Sequence, residues 1–378
     1  MGQDEGLGYK SEVTEEKEPI DLSKFFVFYV IVMLFFIPAY IKFYTGGILT
    51  ALITGFVSNV GSQSNYSEYQ KYFMESGLDE FSLSKLPFIL GMGIGKFLFL
   101  FFVFYYVGFC KQIQKWWIGL IVLLFLLFAM VGVARGTSFE NFESLVLLLF
   151  AYMVRLRFIH GTDSLSRTQM IYLGCFAAFV GFIFMLNMAL RFDGDIVGRF
   201  SGPSSTLRSD ENHWAMTIMP GIALVALKFA GYFTFPLYFV SEVFWKVWTD
   251  SFSGMMAAIL PGVAPVLLDM ENYRIGMENL GMDTAACWDP DCTTFIYFLG
   301  IPMFLVLVYY MGKYAAMAYN TFINRGDVLH CMLLFLLVYE MIAFPVGNFL
   351  IISSVNKIML VLIVLIVYFD LFKKYRFI

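Results

Sequence analysis

The chain has 378 residues, of which 60% are apolar and 14% charged, with 44 phenylalanines and a formal charge of −4. Soluble domains carry about a quarter charged residues, so this composition excludes a soluble enzyme, and without a basic surplus no nucleic acid is expected as a partner. The apolar runs are continuous rather than alternating, which excludes a transmembrane β-barrel and predicts an all-α, polytopic integral membrane protein.

Residues 1–24 (MGQDEGLGYKSEVTEEKEPIDLSK) are polar and mostly acidic. They lack the basic start and apolar core of a signal peptide and read as a disordered cytoplasmic tail. Residues 25–372 read as a single membrane domain and 373–378 as a second cytoplasmic tail. The first span is Phe25–Ala39, extending to Lys42. The apolar piece Gly46–Val57 is too short to cross comfortably and reads as re-entrant or interfacial. A polar loop, 58–85, leads to spans at Pro87–Phe109, Trp116–Val133, Leu145–Met153 and Ile171–Leu190.

An outward polar region, 191–294, follows. It contains two weaker apolar segments, Ala215–Phe233 and Phe252–Leu268, broken by Pro220, Pro261 and Pro265. Proline is tolerated at membrane depth where neighbours or water satisfy the freed backbone, often beside a cavity. Three spans finish the chain, at Phe295–Tyr310, Val328–Pro345 and Val355–Phe372.

Lysine and arginine concentrate on the cytoplasmic side of membrane proteins. About ten spans with both termini cytoplasmic put Lys111/Lys115, Arg155/Arg157/Arg167, Lys313/Arg325 and Lys373/Lys374/Arg376 all inside. Arg135, Arg191, Arg199, Arg208 and Arg274 then face outward, against that bias. Such arginines suit an anionic ligand, because a guanidinium offers a planar fork of donors to phosphate oxygens.

Ionisable residues inside a membrane usually face the bundle interior. Lys96, Lys228 and Glu340 fall within apolar spans, and the depths of Lys96 and Glu340 predict a pair. GMGIGK at 91–96 lacks the spacing of a phosphate loop and lies in a span, so its glycines predict close helix contact or a bend. Cys287 and Cys292, on the outward side, are candidates for a disulfide. They lack the histidines of a zinc site, no metal is expected, and no cofactor motif is present. Cys110, Cys175 and Cys331 read as packing residues.

The segments VARGTSFENFE, LVALKFAGYFTFPLYFVSEVFWKVWTDSFSG, CWDPDCTTFIYFLGIPMFLVLVYYMGK and AFPVGNFLIISS resemble the bacterial oligosaccharide-repeat-unit polymerases of the O-antigen polymerase (Wzy-like) family, over roughly residues 90–370. The resemblance implies a multi-pass protein of the bacterial inner membrane with a large periplasmic region. It implies a glycosyltransferase that moves a growing glycan from one undecaprenyl-pyrophosphate to the terminal sugar of another lipid-linked repeat unit. A chain-length regulator and a flippase are the expected partners besides the bilayer and the lipid-linked donor and acceptor; no nucleotide sugar, metal or cofactor is required. An arginine followed eleven positions later by glycine, a motif described for that family, is matched by Arg191 and Gly202. Where relatives carry an aspartate just before the glycine-bearing span, this chain has Thr294-Phe295, with Asp289 and Asp291 displaced from that position.

For such a reaction, fixed cations stabilise the charge growing on the pyrophosphate leaving group. Arg191, Arg199, Arg208, Arg274 and Arg135 are the candidates. Each has a second reading, as a contact to lipid headgroups or to nearby carboxylates. A general base helps the acceptor hydroxyl attack. His213 with Asp210 and Glu211 is the candidate set, against a reading of His213 as an interfacial side chain beside Trp214. Arg135 with Glu140 and Glu143 reads either as an ion pair fixing its turn or as a border of the same cavity. Lys96 could instead meet the pyrophosphate. The rival functions are an O-antigen ligase and a transporter or flippase; the lack of an inverted repeat argues against the last.

Overall fold

The computed structural model describes residues 18–48, 85–111, 113–135, 139–161, 165–171, 210, 212–244, 251–259, 273–281, 291–343, 353–369 and 375–377, with single positions at 72, 75, 174, 175, 178 and 268. The fold is helical. In chain order the helices are α1 (Phe26–Thr45), α2 (Leu86–Phe102), α3 (Lys115–Arg135), α4 (Phe139–Phe158), α5 (Trp214–Ile218), α6 (Pro220–Val243), α7 (Ser251–Ile259), α8 (Tyr273–Asn279), α9 (Asp291–Arg325), α10 (Val328–Ala343) and α11 (Ser354–Tyr368).

Four described stretches are long and apolar enough to cross a membrane: Ser23–Thr45, Leu86–Phe109, Lys115–Gly132 and Asp291–Asn324. This supports an all-α membrane protein but not the expected count of ten. Helices α10 and α11 have 16 and 15 residues. At 1.5 Å per residue they reach about 24 and 22 Å, short of a hydrocarbon core of about 30 Å. Pro220 interrupts its segment as expected: α5 ends at Ile218, and Met219 between it and α6 is not helical. Pro220 opens α6 in the first turn, where its missing N–H costs no hydrogen bond. The segment 46–57 and most of 171–190 lie outside the described residues.

Helix α1 is apolar all round, yet it has two faces. Phe26, Val30, Met33, Ile37, Tyr40 and Tyr44 recur at alternating steps of four and three and are buried. Phe28 and Phe35 on the other side are 61% and 76% exposed, as lipid permits. Gly46 ends the helix in the left-handed region (φ 74°), its N–H bonded to the Lys42 carbonyl at 2.9 Å.

The glycines of GMGIG act as expected. A Cβ at Gly95 would overlap the Phe36 ring of α1, and one at Gly93 would overlap Ile358 of α11. Two neighbours therefore approach α2 closely from either side, and Lys96 follows in the same turn. Helix α2 continues as a π-helix, Val103–Phe109. Helix α9 bends at Gly300 (φ 68°, ψ 164°), two residues before Pro302. Pro302 has no N–H to give the Phe298 carbonyl four residues earlier. Gly254 of α7 comes so near that carbonyl that a Cβ there would overlap it.

The buried apolar residues form one core running the length of the bundle, in which α11 packs on α2, α10 on α9, α3 on α1 and α4 on the π-helix. At one end the chain's two extremities meet. Glu18–Ile20 (β1) pairs in parallel with Tyr375–Phe377 (β2), Glu18 opposite Tyr375 and Ile20 opposite Phe377. The last residues of the expected disordered tail are thus ordered. Tyr105 and Tyr106 hold them: the Leu22 N–H donates to the Tyr105 hydroxyl at 2.6 Å, and the Tyr106 hydroxyl donates to the Leu22 carbonyl at 2.8 Å.

Candidate functional site

The buried polar side chains are not spread along the bundle. Lys96, Glu140, Glu143, Ser144, Glu340 and Asn356 are all at most 8% exposed. Together with Asp291, Thr293 and Thr294 they occupy the end opposite the strands, and among the described residues Asp327 alone lies elsewhere. That end gathers the C-terminus of α1, the first half of α2, the end of α3, the start of α4, the end of α10 and the starts of α9 and α11.

At its centre the Lys96 ammonium meets the Glu143 carboxylate at 2.8 Å, each side chain 1% exposed. Lys96 was expected to pair with Glu340, and the structure corrects this. The first turn of α4 sits at the depth of Lys96, so Glu143 reaches it. Tyr40 and Phe128 flank the ammonium, with ring centroids 6.0 and 5.8 Å away. One turn outward, Arg135 pairs with Glu140, as one of its two expected readings had it, and lies 4.4 Å from the centroid of Tyr44. The Ser144 hydroxyl donates to the Glu140 carbonyl at 2.6 Å. Tyr339 of α10 packs beside Phe142 at 6.3 Å, within electrostatic reach of Glu140, Glu143 and Glu340.

A second polar group adjoins the first. Tyr273 of α8 and Thr293 of α9 share a hydrogen bond of 2.9 Å. Asp291 acts electrostatically on Lys357, whose ammonium donates to the Ile259 carbonyl at 3.4 Å. Gly93 links the two groups. It lies against Val355 and Ile358 in the first turns of α11, one helical turn before Lys96. Charges buried this completely persist only when paired and hydrogen-bonded. Two lysine or arginine residues and two glutamates therefore form a neutral, aromatic-walled set that holds five helices together.

The expected site residues divide sharply. Arg135 belongs to the buried set. Arg274 is in α8, next to Tyr273, which touches Thr293. Asp210 and His213 are exposed and belong to one turn, in which the His213 N–H donates to the Asp210 carbonyl at 3.1 Å and the Asn212 N–H to the Asp210 carboxylate at 3.0 Å. His213 caps α5, its Nδ1 accepting from the Ala215 N–H at 3.3 Å. An acceptor at Nδ1 puts the proton of the neutral ring on Nε2. Neither ring nitrogen is then open to take a substrate proton while the cap holds. Its ring lies 5.6 Å from that of Trp214. Arg191, Arg199, Arg208, Glu211 and Cys287 lie outside the described residues, and Cys292 is buried in the first turn of α9.

Sequence reasoning noticed Lys96, Glu140 and Glu143 but not that they form one site. It missed Tyr40, Tyr44, Tyr339 and Asn356. Tyr40 and Tyr44 continue the buried four-and-three stripe of α1, which a helix apolar all round does not show in its sequence. Among the described residues no three His, Cys, Asp or Glu side chains are grouped to hold a metal ion. No family model, curated protein or solved structure matches the chain.

Proposed function

We propose that the chain is a glycosyltransferase of the bacterial inner membrane that polymerises undecaprenyl-pyrophosphate-linked repeat units into surface polysaccharide. One observation supports the reading most directly: among the described residues, nearly all buried polar side chains lie at a single end of the bundle. In the topology expected from the lysine and arginine clusters, with about ten spans and both termini cytoplasmic, that end faces the periplasm. Arg274 of α8, next to Tyr273, adjoins that end, and Arg191, Arg199 and Arg208 belong to the same expected outward region.

In this reading the outward arginines bind the donor's pyrophosphate and stabilise its departure. Arg135, paired with Glu140, forms the floor of the site. The base is His213, Glu211 or Asp210; His213 can serve only when its capping bond to Ala215 opens. The donor and acceptor lipids reach the site from the bilayer, a flippase supplies them, and a chain-length regulator sets when synthesis stops.

A transporter is the second reading. The bend of α9 at Gly300 and Pro302 and the buried Lys96–Glu143 pair favour it, since broken helices and intramembrane charges mark transport paths.

Deletion of the gene in its native host, with the surface polysaccharide resolved by gel, tests these readings. The polymerase reading requires single repeat units on the acceptor after deletion. It also requires that Arg191→Ala, Arg199→Ala, Arg208→Ala or Arg274→Ala fail to restore long chains at normal membrane levels. Accumulation of full-length lipid-linked polymer makes the chain a ligase. Accumulation of repeat units on the cytoplasmic leaflet makes it a flippase, and unchanged long chains end the proposal.

A further inference from the structure

The Lys96 end carries its charges in two rungs of like composition, and the rungs differ in access. In the inner rung Tyr40 of α1, Lys96 of α2 and Glu143 of α4 meet, and both charged side chains are 1% exposed. In the outer rung Tyr44, Arg135 and Glu140 repeat the arrangement one turn further out. The repeat follows from helical spacing. Tyr40 and Tyr44 are four residues apart on α1, and Glu140 and Glu143 three apart on α4, so each pair shares a face. The Arg135 side chain, however, is 16% exposed, so the outer rung reaches the surface through its arginine while Glu140, at 1%, stays inside.

The rungs also differ in what holds each charge in place. Lys96 lies in the middle of α2, with Glu143 and the rings of Tyr40 and Phe128 around its ammonium. Arg135 is the last residue of α3, and Glu140 lies in the first turn of α4. A cation at a helix C-terminus and an anion at a helix N-terminus are each stabilised by their own helix. The Arg135 guanidinium also keeps the Tyr44 ring, 4.4 Å from its centroid, whichever anion it holds. The inner pair is locked, whereas the outer pair is built to exchange its anion.

An exchange leaves Glu140 buried after it has lost the cation of its rung. A carboxylate in that position favours the protonated form. The charged and titratable side chains around it are Arg135 from α3, Glu143 from its own helix, Lys96 from α2, Tyr40 and Tyr44 from α1, and Tyr339 and Glu340 from α10. Asp291 of α9 and Lys357 of α11 belong to the adjoining group. Lys96 is held by Glu143 and does not take the place of Arg135.

We propose that Glu140 is an internal counter-anion that holds Arg135 until the pyrophosphate of the lipid-linked donor displaces it. The Arg135–Glu140 ion pair breaks, an Arg135–pyrophosphate pair forms, and a proton from water passes to Glu140. When the lipid pyrophosphate leaves, Arg135 returns and the proton is released. Glu140 is thus a positioning residue acting through Arg135. The ligand rests on the polymerase reading; the exchange rests on the two rungs.

The test uses the full chain purified in mild detergent, with farnesyl pyrophosphate as the probe, titrated by calorimetry in buffers of different ionisation enthalpy. Glu140→Gln needs no proton and competes weakly for Arg135, so near neutral pH it should bind the probe about tenfold more tightly than wild type. Wild type should take up about one proton more per probe bound than Glu140→Gln, and the two affinities should converge as pH falls. Arg135→Gln should weaken binding about tenfold, and adding Glu140→Gln to it should gain nothing. If Glu140→Gln does not fold, the excess proton uptake of wild type over Arg135→Gln decides. Unchanged or weaker binding by Glu140→Gln, or equal proton uptake, overturns the exchange; the polymerase reading then still stands if the probe binds through the other arginines. No binding of the probe by the wild type overturns both the exchange and the pyrophosphate site.

Discussion

The two ends of the bundle handle charge in opposite ways. At the Lys96 end, charged side chains are buried, paired with one another and walled by Tyr40, Tyr44 and Phe128. At the strand-bearing end, charged groups serve the backbone. Arg155 donates to the Cys110 carbonyl at 2.8 Å where the π-helix stops, and Asp327 accepts from the N–H groups of Leu329 and His330 at 2.9 and 3.0 Å where α10 begins. Helix ends need such partners for their own sake. Side-chain pairs within a membrane do not, so the Lys96 end carries a burden that stability alone does not explain. That difference directs the functional proposal to the Lys96 end.

The comparison breaks most visibly at the central ion pair. Lys96→Met should destabilise the protein by about 3–5 kcal/mol, because Glu143 is left buried without its partner. The double change Lys96→Met with Glu143→Leu should recover most of that loss. Thermal unfolding of the single and double variants in detergent measures both, and a double variant as weak as the single one contradicts the account of the pair.

Next in size is the close packing around it. Gly95→Val drives a side chain into Phe36 and should cost about 1–3 kcal/mol, with reduced yield of monodisperse protein. Gly91→Ala, where no neighbour lies within 4 Å, is the control and should be silent.

At the other end the expected effects are smaller. Asp327→Ala removes the cap of α10 and should cost about 1 kcal/mol. Burial pushes the Asp327 carboxyl up, but the His330 side chain and the backbone N–H groups outweigh it and hold it below the ordinary carboxylate range. Its contribution is therefore present above that range and lost as pH falls through it. Melting curves of wild type and Asp327→Asn should converge on acidification and separate at neutral pH. Tyr105→Phe should cost about 1 kcal/mol locally and speed proteolysis near Leu22, leaving the midpoint of global unfolding nearly unchanged.

The capping role of His213 sharpens the comparison from outside the bundle. Asparagine is as good a cap as histidine and cannot act as a base near neutral pH. Under the proposed polymerase reading, His213→Asn should preserve chain polymerisation if the residue only caps α5, and abolish it if the ring takes a proton. The gel that resolves the polysaccharide separates the two.

Several elements were legible before the structure. The spans at 87–109 and 116–133 match α2 with its π-helix and α3 within a few residues, because an unbroken apolar run leaves a membrane helix little choice. The glycines at 93 and 95 were read as contact points and are. Legibility failed where partners come from distant parts of the chain. Lys96 lies 47 residues from Glu143 in sequence and was assigned to Glu340 by depth alone. The kink at Gly300 had a local signature in Gly300 and Pro302 that went unread, whereas the strand pair between 18–20 and 375–377 had none, because its two halves lie at opposite ends of the chain.

Composition and periodicity by themselves determined that the chain is helical and belongs in a membrane, since backbone groups in hydrocarbon must be satisfied within each helix. Only the tertiary structure decided that Lys96, Arg135, Glu140 and Glu143 make one buried site, and that the buried Trp117 donor meets no acceptor among the described residues. Helices form from neighbours in sequence, whereas the cost of burying a charge or a donor is settled by whichever helix packs beside it.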